Sequence, residues 1–273
     1  MKISDLILEI KNKYSFLCIG LDTDINKIPK FLLNEEDPIF SFNKSIIDNT
    51  NPYCVAYKLN TAFYESLGTS GWVSMKRTID YINKNFPKIF TIADAKRGDI
   101  GNTSKMYAQT FFGNMNFDSV TINPYMGSDS VKPFLEFENK TSILLGLTSN
   151  IGASDIQLKK TNQDYVFIEM IKSSMNWGNQ DNMMYVVGAT KPQYIEKIRE
   201  LIPNHFLLMP GVGAQGGDLN EICKYAINDN VGVLVNSSRS IIYASQEKNF
   251  ADKAATESIK LQGKMKKILA QEK

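Results

Sequence analysis

Lys88-Ile-Phe-Thr-Ile-Ala93-Asp94-Ala-Lys-Arg-Gly-Asp99-Ile-Gly101 changes character halfway along its length. The first half is short, apolar and β-branched, which predicts a buried strand. Gly98 and Gly101 then break the extended pattern and predict a turn followed by a helix start. A strand has period two, so Asp94 and Lys96 are expected on one face. A carboxylate and an ammonium thus stand side by side at the C-terminal end of a strand, with Asp99 a few residues on. Charge at the end of a buried strand is costly without partners, and such groups concentrate at functional sites. By itself D-x-K-x-x-D also describes a solvated ion-pair loop of little energetic weight. The rest of the chain decides between the two.

Outward from this stretch the same unit recurs. Eight apolar runs are each followed by polar or glycine residues: Phe16–Leu21, Cys54–Lys58, Ile89–Asp94, Ser119–Asn123, Ser142–Leu147, Met184–Gly188, Phe206–Pro210 and Gly232–Asn236. Amphipathic helical stretches lie between them, most clearly Trp72–Asn85, Thr103–Asn114, Asp164–Trp177, Gln193–Leu201 and Leu219–Ile227. Continuous apolar strands alternating with helices imply a parallel sheet covered by helices. Eight such units in one chain predict an α/β fold, a (β/α)8 TIM barrel, forming a single domain over residues 1–273. A doubly wound open sheet is the alternative, but Gly20-Leu-Asp-Thr-Asp24 is not the glycine fingerprint expected after its first strand. The longest irregular piece, about Thr148 to Gln163, follows the fifth strand, where a long loop is often functional.

Composition narrows the class. The 273 residues are 43% hydrophobic and 22% charged, ordinary values for a globular protein. The net charge of +2 is spread along the chain, so nucleic acid is not an expected partner. The Lys-rich segment from Lys260 to Lys273 reads as a solvated helix face. Met1 to Lys11 reads as an amphipathic helix, with Ile3, Leu6, Ile7 and Ile10 on one side, rather than as a secretory leader. No apolar run approaches the ~20 residues of a membrane span, and the expected location is the cytoplasm. Cys18, Cys54 and Cys223 are too widely spaced for a disulfide framework or a metal site, and Cys18 and Cys54 sit in apolar runs as small hydrophobes.

A barrel of this kind builds its active site at the C-terminal ends of its strands. Those ends carry Asp22, then Lys58 with Asn60, then Asp94 with Lys96. Asn123-Pro-Tyr-Met-Gly127, Thr148-Ser-Asn150, Pro210-Gly-Val-Gly-Ala-Gln-Gly-Gly217 and Asn236-Ser-Ser-Arg-Ser240 follow. Gly211, Gly213, Gly216 and Gly217 let backbone amides approach an anion, and Ser237, Ser238 and Arg239 add donors before a helix. Loops after strands seven and eight are the usual phosphate site of barrels, and Arg grips phosphate bidentately. The same loops also fit a glycine-rich turn plus an ordinary serine helix cap. His205 is the only histidine and lies where strand seven begins, away from this end, which suits a structural role. The chemistry therefore rests on Lys and Asp. Asp22, Asp94 and Asp99 could hold a hard cation, but Lys58 and Lys96 in the same pocket oppose one, so no metal is expected.

Asp94-Ala-Lys-Arg-Gly-Asp99-Ile-Gly-Asn-Thr103 resembles the signature of the orotidine 5'-phosphate decarboxylase family. Gly20-Leu-Asp22, Tyr57-Lys58, the Pro210–Gly217 loop and Ser238-Arg239 match it in order, so the resemblance covers nearly the whole chain. Tyr57-Lys-Leu-Asn60, Asn123-Pro-Tyr-Met-Gly127 and Leu147-Thr-Ser-Asn150 are similar to its longer bacterial and protozoal branch. The resemblance implies a homodimer that converts orotidine 5'-monophosphate to UMP and CO2 without cofactor or metal. It implies that Lys58, Asp94, Lys96 and Asp99 form an alternating charge array in which Lys96 protonates C6. Asp99, Ile100 and Thr103 would reach into the neighbouring subunit's site. Asp22 and Asn60 would hold the ribose region, Ser149 would read the pyrimidine, and Pro210, Gln215, Ser238 and Arg239 would complete the substrate site at the phosphate. The glycine-rich Pro210–Gly217 loop is the lid candidate. Ser238 stands where relatives often have glycine, a departure expected to cost little unless its side chain clashes.

Two rival functions remain open on sequence. A metal-dependent sugar-phosphate lyase or decarboxylase of the same superfamily shares D-x-K-x-x-D, but such enzymes typically carry an acidic metal ligand where this chain has Lys58. A silent phosphate-ligand sensor on a barrel scaffold is the other, since fold does not fix function.

Overall fold

In a computed structural model, which describes residues 1–189, 192–211 and 219–271, the chain closes into a parallel barrel of strands taken in sequence order. The strands are β1 (Leu17–Gly20), β2 (Ala56–Asn60), β3 (Phe90–Arg97), β4 (Ser119–Ile122), β5 (Thr141–Leu147), β6 (Met183–Val187), β7 (Leu207–Pro210) and β8 (Val233–Ser237). Each matches one apolar run of the sequence, and β1 pairs with β8 through Cys18 and Asn236 to close the ring. The strand residues are buried almost throughout because their outer faces lie under helices.

The outer layer comprises α1 (Ile3–Lys13), α2 (Pro38–Thr50), α3 (Thr61–Glu65), α4 (Thr69–Asn85), α5 (Gly101–Ala108), α6 (Ser128–Leu135), α7 (Val166–Ser174), α8 (Pro192–Leu201), α9 (Leu219–Ala226), α10 (Arg239–Ile242) and α11 (Phe250–Gln271). In α1 the buried face is Ile3, Leu6, Glu9 and Ile10, with Ile7 at its edge. Glu9 is buried where the sequence pattern placed Ile7, and its carboxylate accepts from Asn12 Nδ2 at 3.3 Å. The helix expected over Thr103–Asn114 begins two residues earlier and widens into a π-turn over Gln109–Asn114. The widened turn carries both Phe111 and Phe112 inward.

Two irregularities of the sheet bear on the site. The β3–β4 register slips between Ala93 and Arg97, and Lys96 adopts φ +49°, a left-handed conformation unusual for a lysine. The β5–β6 register slips between Leu145 and Leu147. Both slips lie toward the C-terminal ends of their strands, where the polar residues gather.

Candidate active site

Lys58 is the centre of the cluster. It projects from β2 at 4% exposure, and its Nζ donates to Asp94 Oδ2 at 2.9 Å and to Asp22 Oδ1 at 3.2 Å. Burial alone disfavours its charge, yet the Asp94 and Asp22 carboxylates outweigh it and hold the Lys58 pKa well above the usual lysine value. Asp94 shows the mirror image. Burial pushes its pKa up, but Lys58 and Lys96 outweigh that and hold the carboxyl well below its usual range. The other oxygen, Asp94 Oδ1, accepts from Lys96 Nζ at 2.7 Å. Asp94 is thus gripped between a buried lysine and one that is about half exposed.

The period-two expectation for Asp94 and Lys96 holds in outcome but not in geometry. The backbone turns at Lys96, and the side chain returns to Asp94 because of that turn. Thr121 on β4, inside the apolar run Ser119–Asn123, is the residue that meets the turn. Its Oγ1 accepts from Lys96 N at 2.9 Å and donates to Asp94 Oδ1 at 3.0 Å. Its only sequence signal was a hydroxyl two positions before Asn123, the polar end of that strand.

Asp22 is held from three sides. Ser238 Oγ donates to Asp22 Oδ2 at 3.0 Å, and Asn236 Nδ2 donates in turn to Ser238 Oγ at 3.3 Å. Tyr243 OH donates to the Asp22 carbonyl at 3.0 Å. Deeper, Tyr64 OH donates to the Leu21 carbonyl at 2.8 Å and accepts from Asn43 Nδ2 at 2.9 Å, in a buried network with Thr23. Ser238 therefore brings a bond, not a clash. The space it fills exists because residue 20 is glycine: a Cβ there would come within 1.8 Å of Ser238 Oγ.

Two adjoining hollows of about 280 and 360 Å³ open over this cluster and share Lys58, Asp94, Ser149, Pro210 and Asn236. The first also meets Asp22, Asn60, Gly211, Ser238 and Arg239. The second is walled by Leu145, Val186 and Leu208 and reaches Lys96. Ser149 can approach because residue 188 is glycine, where a Cβ would lie 2.8 Å from Ser149 N. The loop that carries Ser149 is pinned at its base. Gln157 Oε1 accepts from Thr148 N at 2.9 Å while Gln157 Nε2 donates to Thr148 Oγ1 at 2.7 Å.

The structure thus gathers Asp22, Lys58, Asn60, Asp94, Lys96, Ser149, Pro210, Ser238 and Arg239 around one cavity. It does not bring Asp99, Ile100 or Thr103 to that cavity on the same chain. Ile100 and Thr103 are exposed on the rim at the start of α5. Gln215 and most of the Pro210–Gly217 loop lie outside the described residues. His205 sits at the opposite end of β7, as its place in the sequence implied, with its ring against Tyr185 at 5.5 Å. Among the described residues no cluster of three His, Cys, Asp or Glu side chains is placed to hold a metal ion.

Comparison with known proteins bears on this site. Residues 15–254 match the orotidine 5'-phosphate decarboxylase / HUMPS family. The chain is 58% identical over 265 residues to an orotidine 5'-phosphate decarboxylase of Christiangramia forsetii, covering 97% of each. It is 58% identical over 272 residues to one of Phocaeicola vulgatus, covering 99% of this chain and all of that one. Among solved structures, the Leishmania donovani OMP decarboxylase superposes with a TM-score of 0.80 at 31% identity, covering 96% of this chain and 99% of that one.

Proposed function

This chain belongs to the orotidine 5'-phosphate decarboxylase family, and from that membership we infer that it is a carboxy-lyase of pyrimidine biosynthesis, converting orotidine 5'-monophosphate to UMP and CO2 with no metal or cofactor. The observation that carries the mechanism is the Lys58–Asp94–Lys96 array lining the cavity.

Loss of CO2 from C6 of the pyrimidine breaks the C6–carboxylate bond and leaves its electron pair on C6, where it is poorly delocalised. Catalysis must therefore come from groups that meet the transition state better than the substrate. Lys96 Nζ, which donates to Asp94 Oδ1, meets the developing anion and delivers a proton to C6. Asp94 faces the departing carboxylate, and the repulsion is relieved as CO2 leaves. Lys58 fixes the orientation of Asp94. The ammonium of Lys58 lies between the Asp22 and Asp94 carboxylates and opposes a cation there, which supports the metal-free reading.

Asp22 and Asn60 hold the ribose region, and Ser149 meets the pyrimidine. Pro210, Ser238 and Arg239, which line the cavity, hold the phosphate, and Gln215, outside the described residues, is assigned the same role by the family resemblance alone. Phosphate binding far from C6 positions the ring for the reaction. Asp99, Ile100 and Thr103 act in the site of a second copy. Their absence from their own cavity supports this, as does the exposure of Ile100 and of Tyr125 on the rim after β4. The protein works as a homodimer in the cytoplasm. Among the described residues no helix is long and apolar enough to cross a membrane.

Incubation with orotidine 5'-monophosphate, with and without EDTA, tests this. Loss of substrate ultraviolet absorbance at equal rates in both is expected. No conversion by folded protein, or conversion only without EDTA, overturns it.

A further inference from the structure

We propose that Thr121 is a positioning residue for Lys96 and Asp94, an inference that rests on the decarboxylase reading above. The sheet is broken where its most important side chains emerge. Between Ala93↔Val120 and Arg97↔Ile122, β3 runs through Asp94, Ala95 and Lys96 while β4 supplies only Thr121. The ladder cannot satisfy the extra backbone, and Lys96 sits at φ +49°. A lysine holds that conformation only when its surroundings determine it.

Thr121 supplies the determination. Its hydroxyl accepts from Lys96 N at 2.9 Å, in place of the missing ladder acceptor, and donates to Asp94 Oδ1 at 3.0 Å. That oxygen is also the one that accepts from Lys96 Nζ at 2.7 Å. The bonds form a closed ring: Lys96 backbone to Thr121, Thr121 to Asp94, Asp94 back to the Lys96 ammonium. A single hydroxyl uses both its donor and an acceptor site, and it ties together the two ends of the proton-delivering residue. Thr121 is fully buried and does not line the cavity, so it acts through Lys96 and Asp94 and not on substrate.

The ring makes a hydroxyl necessary, not merely a side chain of this volume. Valine matches threonine in shape but can neither accept from Lys96 N nor donate to Asp94. Serine keeps the hydroxyl. A displacement of about 1 Å at a reacting group costs about 10²-fold in rate. The expected result is therefore a fall in kcat of about that size for Thr121→Val, with the dissociation constant of UMP within about threefold of wild type, and recovery to within about threefold in Thr121→Ser.

Three measurements test it: steady-state turnover of orotidine 5'-monophosphate, equilibrium binding of UMP, and a crystal structure of Thr121→Val. Wild-type turnover in Thr121→Val overturns the proposal. So does a parallel loss of turnover and UMP affinity, which marks a general packing role, and so does a kcat loss that Thr121→Ser fails to recover. If wild type itself does not turn over orotidine 5'-monophosphate, the decarboxylase reading fails. The crystal structure then decides the positioning claim alone. Lys96 leaving its left-handed conformation or its contact with Asp94 supports it, and an unchanged Lys96 overturns it.

Discussion

Arg199 and Arg239 stand at opposite ends of the same barrel and do opposite things with the same side chain. Arg199, from α8, turns under the N-terminal ends of β7 and β8, where its guanidinium donates to the carbonyls of Ala226, Ile202, Pro203, His205 and Gly232. Every direction of its fork is committed to the backbone. Arg239, just past β8, is exposed at the cavity mouth, with no side-chain hydrogen bond or ion pair found among the described residues. The lysines and aspartates at that mouth satisfy one another around an open space. One end of the barrel uses charge to close the fold, and the other keeps charge facing a cavity.

The largest effect expected is at the core of the open end. Lys58→Met leaves Asp22 and Asp94 without their shared ammonium, which costs about 3–5 kcal/mol of stability. It also lowers turnover by about 10²-fold or more, since Asp94 loses its orientation. Urea unfolding and steady-state kinetics measure both. A variant as stable as wild type would break the claim that this lysine is structurally committed.

The array also predicts a pH window. Asp94 lies below its ordinary 3.8 in the folded state, so its contribution is present above that value and is lost as pH falls toward the folded one. Lys58 lies above its ordinary 10.5, so its contribution is present below that value and is lost as pH rises through the folded one. Lys58→Met should therefore flatten the stability profile at both extremes.

The two arginines sharpen the contrast next. Arg199→Ala should cost about 3 kcal/mol of stability by stranding buried carbonyls, while turnover per folded molecule stays near wild type. Arg239→Ala should leave stability within about 0.5 kcal/mol. It should raise KM about 10- to 100-fold, the worth of one charge-assisted contact to phosphate. The reverse pattern in either variant would erase the distinction between the ends.

The smallest effect concerns His205. Burial first, and then Arg199, lower its pKa to about 4. The folded state keeps the ring neutral while the unfolded chain takes up a proton near 6.5. Stability is thus full above the unfolded value and is lost as pH falls toward the folded one. Between pH 7 and pH 5, His205→Phe should lose about 1 kcal/mol less than wild type in urea unfolding, solvent screening included. Equal losses would contradict this.

Much of this is legible in the sequence. The apolar runs gave strands because burial on both faces leaves no alternation to confuse, and the polar strand ends then marked one rim. Asp22, Lys58 and Asp94 converge as their places at those strand ends imply, whereas Lys96 meets Asp94 through a backbone turn that the period-two pattern does not contain. Thr121 was not legible, because its role depends on a register slip in the neighbouring strand, and slips have no one-dimensional mark. Tyr64, Asn43 and Tyr243 escaped for a similar reason: each secures the end of β1 from a helix or loop remote in sequence. Asp99, Ile100 and Thr103 could be assigned only through resemblance, since among the described residues none of the three lines the cavity of its own chain.

The most direct test of the central claim is Lys96→Ala, assayed for turnover of orotidine 5'-monophosphate and, separately, for UMP binding. The charge array predicts a fall in kcat of about 10³-fold or more, as expected when a proton donor is removed, with UMP affinity largely retained. Near-normal turnover would contradict the account.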